Sequence, residues 1–279
     1  MENRTCIITG ASSGIGKVTA TSVAQQGAKL VMVCRSKEKG LIVLNEIIEK
    51  TRNPDIELII ADLSSQKDIR RAANEIKAKY PVIDVLINNA GAINDQRTET
   101  IDGYETTFAT NHLGYFLFTN LLLDNLKAAP RARIVNVASE AQRMGKINFD
   151  DLQTKNGYTP MKAYSQSKLA NIIFTYELAK RITGTNITAN CLHPGVVNTN
   201  FGKELKGFTI ILFKLGTPFM RNAERGAETS IWLATAPEVD GISGKYYSDK
   251  KEIKSQPASY DVEVQRKLWE ISAQMTDVK

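Results

Sequence analysis

Two side chains in this 279-residue chain raise the first chemical question. Tyr164 stands four residues before Lys168 in KAYSQSKLANIIFTYELAK, a stretch with helical spacing on both sides. Positions i and i+4 share one helix face, one turn apart. A free phenol titrates near pH ~10 and is a poor acid or base at neutrality. A cation beside it favours the phenolate and lowers that value. The pair can therefore make a tyrosine that trades protons near pH ~7, as general acid–base catalysis requires. A tyrosine half-packed beside a solvated lysine is the plain alternative, and the rest of the chain has to choose.

A second set of residues points to a nucleotide. TGASSGIG, residues 9–16, places Gly10, Gly14 and Gly16 around Ser12, Ser13 and Ile15, with a strand before it and a helix behind. Glycine lets the backbone turn sharply and approach a pyrophosphate, and the helix N-terminus offers unpaired N–H groups. The spacing is G-x-x-x-G-x-G, not the common G-x-G-x-x-G. An acidic residue after the second strand would suit the 2′-hydroxyl of NAD. This chain instead has Arg35, with Lys39 close behind. A planar guanidinium fork suits a 2′-phosphate, so the expected cofactor is NADP(H). Asp62 and the Leu63 amide end the third strand, where they can meet an adenine amino group; capping of the next helix is the alternative for Asp62. Asn89, Ala90 and Gly91, in NNAG at 88–91, suit a wall against a flat ring, with a plain turn as the alternative.

These residues need elements to hold them, and the chain alternates strand and helix. TCIITG, KLVMVCR, IELIIADL, VIDVLINNAG, RIVNVAS and NITANCLHPG read as buried strands, and GKYYS as a short final one. Helical patterns lie between them. Continuous Val/Ile/Leu strands separated by helices predict a parallel sheet covered on both faces. The expected fold is α/β: a single-domain, Rossmann-like, doubly wound sheet of about seven strands over residues 1–279. Residues 3–92 form its dinucleotide half and 104–199 its catalytic half. Residues 200–226, with an apolar run from Phe208 to Phe219 between basic residues, read as a substrate lid or wall. From Lys250 onward a helix-like YDVEVQRKLWEISAQM packs on the sheet edge or meets a partner.

Bulk properties exclude other classes. Net charge is +6, hydrophobic content 42% and charged content 24%. That composition buries a core and is not disordered. No dense Lys/Arg run with interleaved aromatics occurs, which speaks against nucleic acid. Two histidines, His112 and His193, are too few for a metal cluster. Cys6, Cys34 and Cys191 sit in strand-like runs and read as small core residues of a reducing compartment. No signal peptide or run of ~18 apolar residues is seen, so the expected location is cytoplasmic or peripheral to a membrane.

Taken together, TGASSGIG, NNAG, Asn111, Ser139, Tyr164-x-x-x-Lys168 and HPG at 193–195 resemble the short-chain dehydrogenases/reductases in order and spacing, over essentially the whole chain. Within them the chain is similar to the NADP-dependent retinol dehydrogenases, with protochlorophyllide reductases and WW-domain oxidoreductases as near relatives. The stretches INNAG, TNHLGYFLFTNLLLDNLK, AYSQSKLANIIFTYELAKR and HPGVV carry that likeness. The chain departs from it at Ala138, where relatives often have a serine, and in starting at the first strand where many retinol dehydrogenases have a hydrophobic anchor.

The resemblance implies roles. Tyr164 would be general acid in carbonyl reduction and base in alcohol oxidation. Lys168 would lower its pKa and hold the nicotinamide ribose. Ser139 would hydrogen-bond the substrate oxygen. Asn111 would hold a water linking Lys168 to solvent. Pro194, Gly195 and Val197 would flank the nicotinamide, and Thr199 would bond its carboxamide. The expected substrate is an apolar carbonyl or alcohol, with retinoids or lipid-like aldehydes as examples. A homodimer through the helices carrying Asn111 and Tyr164 is a further expectation, as is peripheral contact of the basic, apolar 200–226 segment with an anionic membrane. Two alternatives stand beside this reading: an NADP(H)-binding sensor or scaffold without catalysis, and a ring double-bond reductase of the protochlorophyllide type.

Overall fold

The computed structural model describes residues 1–197 and 221–278. One mixed sheet runs through it in the order β3-β2-β1-β4-β5-β6-β7-β8. The strands are β1 (Thr5–Thr9), β2 (Lys29–Cys34), β3 (Ile56–Ile60), β4 (Val85–Asn88), β5 (Ala132–Val137), β6 (Ile187–Leu192), β7 (Tyr246–Ser248) and β8 (Lys251–Glu252). All pairings are parallel except β7 with β8.

Alternation along each strand decides which layer a residue serves. In β1, Ile7 faces one core, while Cys6 and Ile8 face the other. The first core receives helices α3 (Gln66–Lys79), α5 (Gly114–Lys127) and the C-terminal half of α6 (Pro160–Arg181). The second receives α1 (Gly14–Gln25), α2 (Lys37–Thr51) and α7 (Ala223–Thr235). Strands buried on both sides therefore read as unbroken apolar runs, which is why they were legible. All three cysteines are free and buried in this sheet.

Side chains cap the helix starts. Ser36 accepts from Lys39 N–H, Ser65 from Asp68 N–H and Thr159 from Lys162 N–H, with Pro160 in the first turn of α6. Ser65, not Asp62, caps α3. The helix before β5 starts with a short turn, α4 (Thr106–Phe108), and passes through a π-helical stretch, Ala109–Leu113, into α5.

Two expectations are corrected. The sheet has eight strands rather than about seven. Asp249 and Lys250 both take positive φ, 49° and 60°, and turn the chain into a two-residue hairpin that adds β8. No Asn-Gly or Asp-Gly pair marked that turn. The C-terminal helix α8 (Val262–Thr276) does not lie on the sheet edge. It packs over α5 and α6, where the Trp269 ring meets Phe116 edge-on at 4.8 Å and stacks on Phe174 at 5.8 Å. Arg181 lies 4.3 Å from the Trp269 centroid. Residues 200–220 of the anticipated substrate lid, and Thr199, lie outside the described residues. Among the described residues no helix is long and apolar enough to cross a membrane.

Candidate active site

The sheet order reverses between β1 and β4, and a cleft opens there at the carboxyl ends of the strands. Its volume is about 570 Å³. Gly10, Ser12, Ser13, Gly14, Ile15, Gly16, Arg35, Lys39, Asp62, Leu63, Asn89, Ala90, Gly91, Ser139, Tyr164, Lys168, Pro194, Gly195 and Val197 all line it. Of the anticipated site residues that the structure describes, Asn111 alone stands behind the wall.

The glycine turn is shaped by close approach. Gly10 has φ +68°, and a Cβ there would sit 2.8 Å from Ala90 Cα. A Cβ on Gly16 would sit 2.2 Å from the Gly10 carbonyl. Only hydrogen fits at either place. Unlike the helices above, α1 has no side-chain cap, since Ser13 makes no such bond. Gly14, Ile15 and Gly16 of its first turn line the cleft, and the unpaired N–H groups of such a helix start suit a pyrophosphate. Asn89 locks this turn to the next strand end, donating from Nδ2 to Thr9 O at 2.9 Å and to Gly10 O at 3.3 Å. Asn88 points the other way. It donates to Thr119 Oγ1 at 2.9 Å and to Asn136 Oδ1 at 2.8 Å, tying β4 to β5 and α5. Only one of the two asparagines therefore faces the cleft.

Asp62 folds its carboxylate onto the following turn, accepting from Ser64 N–H at 2.9 Å and Ser64 Oγ at 2.8 Å. It lines the cleft with its remaining oxygen capacity. Arg35 and Lys39 stand at the far side, exposed, at the end of β2 and the first turn of α2. The donor set of the cleft thus fits a dinucleotide: a tight glycine turn, an uncapped helix and two cations.

The reacting side is built by β5 and α6. Ser139 follows β5 and accepts from Ala141 N–H at 3.2 Å. Its hydroxyl lies close enough to the Tyr164 phenol to act on that group's pKa. Lys168 is buried, 3% exposed, and its Nζ donates to Val137 O at 3.0 Å. The same Nζ lies 5.7 Å from the ring centroids of both Tyr164 and Tyr115. Burial pushes the Tyr164 phenol up to about 12, with the nearby Ser139 hydroxyl pulling the other way. Burial brings Lys168 down to about 7. The anticipated depression of Tyr164 by Lys168 is thus reversed in this environment. The desolvation that disfavours the phenolate also strips charge from the ammonium that would have favoured it.

Asn111 is buried in the π-helical stretch. Its Oδ1 accepts from Ala92 N–H at 2.7 Å, and its Nδ2 donates to Ala92 O and Ser167 Oγ, each at 2.9 Å. Both amide hydrogens are used, so the side chain ties the loop after β4 to α6. Sequence reasoning missed Val137, whose carbonyl anchors Lys168, and Tyr115, whose hydroxyl donates to Ala90 O at 2.7 Å. It also missed Ile93 and Thr110, which line the cleft. A backbone carbonyl leaves no mark in sequence; Thr110, beside Asn111, was the nearest available signal. Cys191 is fully buried in β6 and does not line the cleft.

Known proteins carry the same pattern. The short chain dehydrogenase family model matches residues 4–208. Human retinol dehydrogenase 14 is 43% identical, with 99% of this chain and 87% of that protein covered. Human polyprenol dehydrogenase is 39% identical, over 99% and 86%. The crystal structure of an uncharacterised protein from Mycobacterium paratuberculosis superposes with a TM-score of 0.81 at 34% identity, covering 99% of this chain and 94% of that one.

The fold and the cleft are those of a nicotinamide-dependent α/β oxidoreductase. More narrowly, the chain belongs to the short-chain dehydrogenase family, on its retinol dehydrogenase branch. It is an NAD(P)-dependent carbonyl/alcohol oxidoreductase.

Proposed function

We propose that this protein is an NADP(H)-dependent oxidoreductase that interconverts carbonyl and alcohol on an apolar substrate, with Tyr164 as general acid and base. The observation that carries the reading is the meeting of Tyr164, Ser139 and Lys168 on one side of a cleft whose other side holds Arg35 and Lys39. Residues 3–92 bind the dinucleotide in this assignment and 104–199 supply the chemistry. The two cations favour a 2′-phosphate over a bare hydroxyl. When bound, the nicotinamide gives or takes the hydride.

The chain's own residues manage the proton. At pH 7 the buried phenol of Tyr164 keeps its hydrogen, the form that reduction of a carbonyl consumes. The Ser139 hydroxyl is anchored by Ala141 N–H and directs its own hydrogen to an oxygen in the cleft. Lys168 holds the floor beneath both through Val137 O, and a charged Lys168 favours return of the phenolate during alcohol oxidation. The names of the relatives, retinol and polyprenol dehydrogenases, support an apolar substrate. Intact Tyr164 and Lys168 weigh against a purely binding role.

The test is oxidation of NADPH, with NADH as control, over a chain-length series of aldehydes that includes all-trans-retinal. Rates should climb with apolar length, with NADPH strongly preferred. Tyr164→Phe should lower kcat by ~10²–10⁴ while NADPH still binds. Binding of NADPH without reduction of any carbonyl would sink the catalytic reading, and a preference for small hydrophilic carbonyls would sink its apolar part.

A further inference from the structure

Tyr115 lies beneath the reacting groups without reaching the cleft. It is the second residue of α5 and is fully buried. A Cβ on the preceding Gly114 would come 2.8 Å from Leu63 O, so the glycine lets α5 press close to the loop after β3. Asn111, in the π-helical stretch, stands four residues earlier, about one turn away. Both side chains grip the loop after β4. Asn111 bonds the N–H and the carbonyl of Ala92, and Tyr115 donates its hydroxyl to Ala90 O at 2.7 Å.

Ala90 belongs to the cleft wall, and its backbone is held from two sides. Its N–H donates to Thr9 Oγ1 of β1 at 3.0 Å, and its carbonyl takes the Tyr115 hydrogen. The Tyr115 hydroxyl therefore fixes where this wall stands against the glycine turn. The ring of the same residue meets the lysine. Lys168 Nζ lies over the Tyr115 ring, 5.7 Å from its centroid, as far as from the Tyr164 ring. An aromatic face attracts an ammonium at this range. Val137 O is the one hydrogen-bond acceptor of that Nζ among the described residues, so the ring faces supply part of what water would. The two tyrosines are not interchangeable. Tyr164 lines the cleft, whereas Tyr115 does not and commits its hydroxyl to Ala90 O. Burial, and then the neighbouring Tyr164, raise the Tyr115 phenol well above the ordinary tyrosine range, so it remains a donor.

Resting on the functional reading above, we propose that Tyr115 is a positioning residue for the reaction: its ring carries the Lys168 ammonium while its hydroxyl fixes the Ala90 wall, so one side chain holds the lysine and the cofactor-facing backbone in a fixed relation. It acts through Lys168 on one side and through Ala90 on the other. The titratable groups whose rings face Lys168 Nζ are Tyr164 and Tyr115, both uncharged at neutral pH.

Two variants separate the two ends. Tyr115→Phe keeps the ring and loses the hydroxyl; Tyr115→Leu loses both. NMR of the whole protein labelled with 13C-lysine reads Lys168 directly, assigned by its loss in Lys168→Met. It needs neither cofactor nor turnover, and exposed lysines titrate well away, near pH ~10.4. Lys168 should titrate at about 7 in wild type and in Tyr115→Phe. In Tyr115→Leu it should titrate about 0.5–1.5 pH units lower, since the ring face that favoured the cation is gone. Calorimetry should show the NADPH Kd raised ~5–20-fold in Tyr115→Phe, where the Ala90 carbonyl has lost its donor. In turnover, Tyr115→Phe should raise the NADPH KM more than it lowers kcat, and Tyr115→Leu should lose in both. A Tyr115→Phe Kd within about twofold of wild type overturns the proposal, because a residue that only fills the core would give that result. So does a Lys168 titration that Tyr115→Leu leaves in place or raises. Should Tyr115→Leu not fold, Tyr115→Phe decides through its Kd. If wild type binds NADPH and turns over no carbonyl, the functional reading has failed instead, and the lysine titration and the Kd still decide the role of Tyr115.

Discussion

Lys168 is an amine that folding removes from water with one carbonyl as partner. Its pKa falls from 10.5 to about 7. Between those values the unfolded chain binds the proton that the folded chain has released, so stability rises with pH there. The full shift corresponds to at most about 5 kcal/mol. Above pH ~9 the buried thiols of Cys6, Cys34 and Cys191, all raised, act in the opposite direction. Urea unfolding from pH 7 to 9 should therefore show wild type gaining stability relative to Lys168→Met, whose own profile is flat by comparison. A parallel pair of curves would mean that Lys168 is far more hydrated than its burial indicates. Arg35 is the opposite kind of residue, exposed at the edge of the cleft. Arg35→Ala should leave the melting temperature unchanged and raise the NADPH KM by ~10–100-fold, with little change for NADH. Equal effects on both cofactors would remove the 2′-phosphate from its assigned partner.

Elements hold these residues in place through two ties. The Asn88–Asn136–Thr175 chain runs beneath the cleft, Asn136 Nδ2 donating to Thr175 Oγ1 at 2.9 Å, and joins β4, β5 and α6. Asn88 spends both amide hydrogens in this network while its Oδ1 has no hydrogen-bond partner among the described residues, so the bonds that are made join the three elements at a fixed distance. The second tie is α8. Trp269 closes an aromatic cluster with Phe116 of α5 and Phe174 of α6, the helix that also bears Tyr164 and Lys168. Trp269→Ala should cost about 3 kcal/mol, read as a lowered urea midpoint, because a large ring leaves a cavity between two helices. A loss below ~0.5 kcal/mol would show that α8 is only laid on the surface.

For the whole molecule, α8 bears on assembly. A dimer that pairs α5 and α6 across a two-fold axis, as the family resemblance suggested, would have to accommodate α8, which packs on both helices. Light scattering at micromolar concentration should return the chain mass of 30.9 kDa. Twice that mass in wild type, persisting in Trp269→Ala, would place the dimer contact elsewhere.

Much of this protein is written locally. Unbroken Val/Ile/Leu runs with helices between them determined the parallel sheet, because a strand covered on both faces has no polar side to show. The glycine turn, Arg35 and the Tyr164–Lys168 pair were visible because each depends on residue type at short spacing, whereas Ser139 came only through the family resemblance. Other features came only with tertiary structure. Desolvation decided the direction in which Tyr164 and Lys168 titrate, and burial is a property of everything packed around them. The carbonyl of Val137, the committed amide of Asn111 and the β8 hairpin rest on backbone geometry that side-chain identity does not encode. The placement of α8 and the Asn88–Asn136–Thr175 tie join residues far apart in the chain. Their partners were therefore set by the sheet order rather than by any neighbour in sequence.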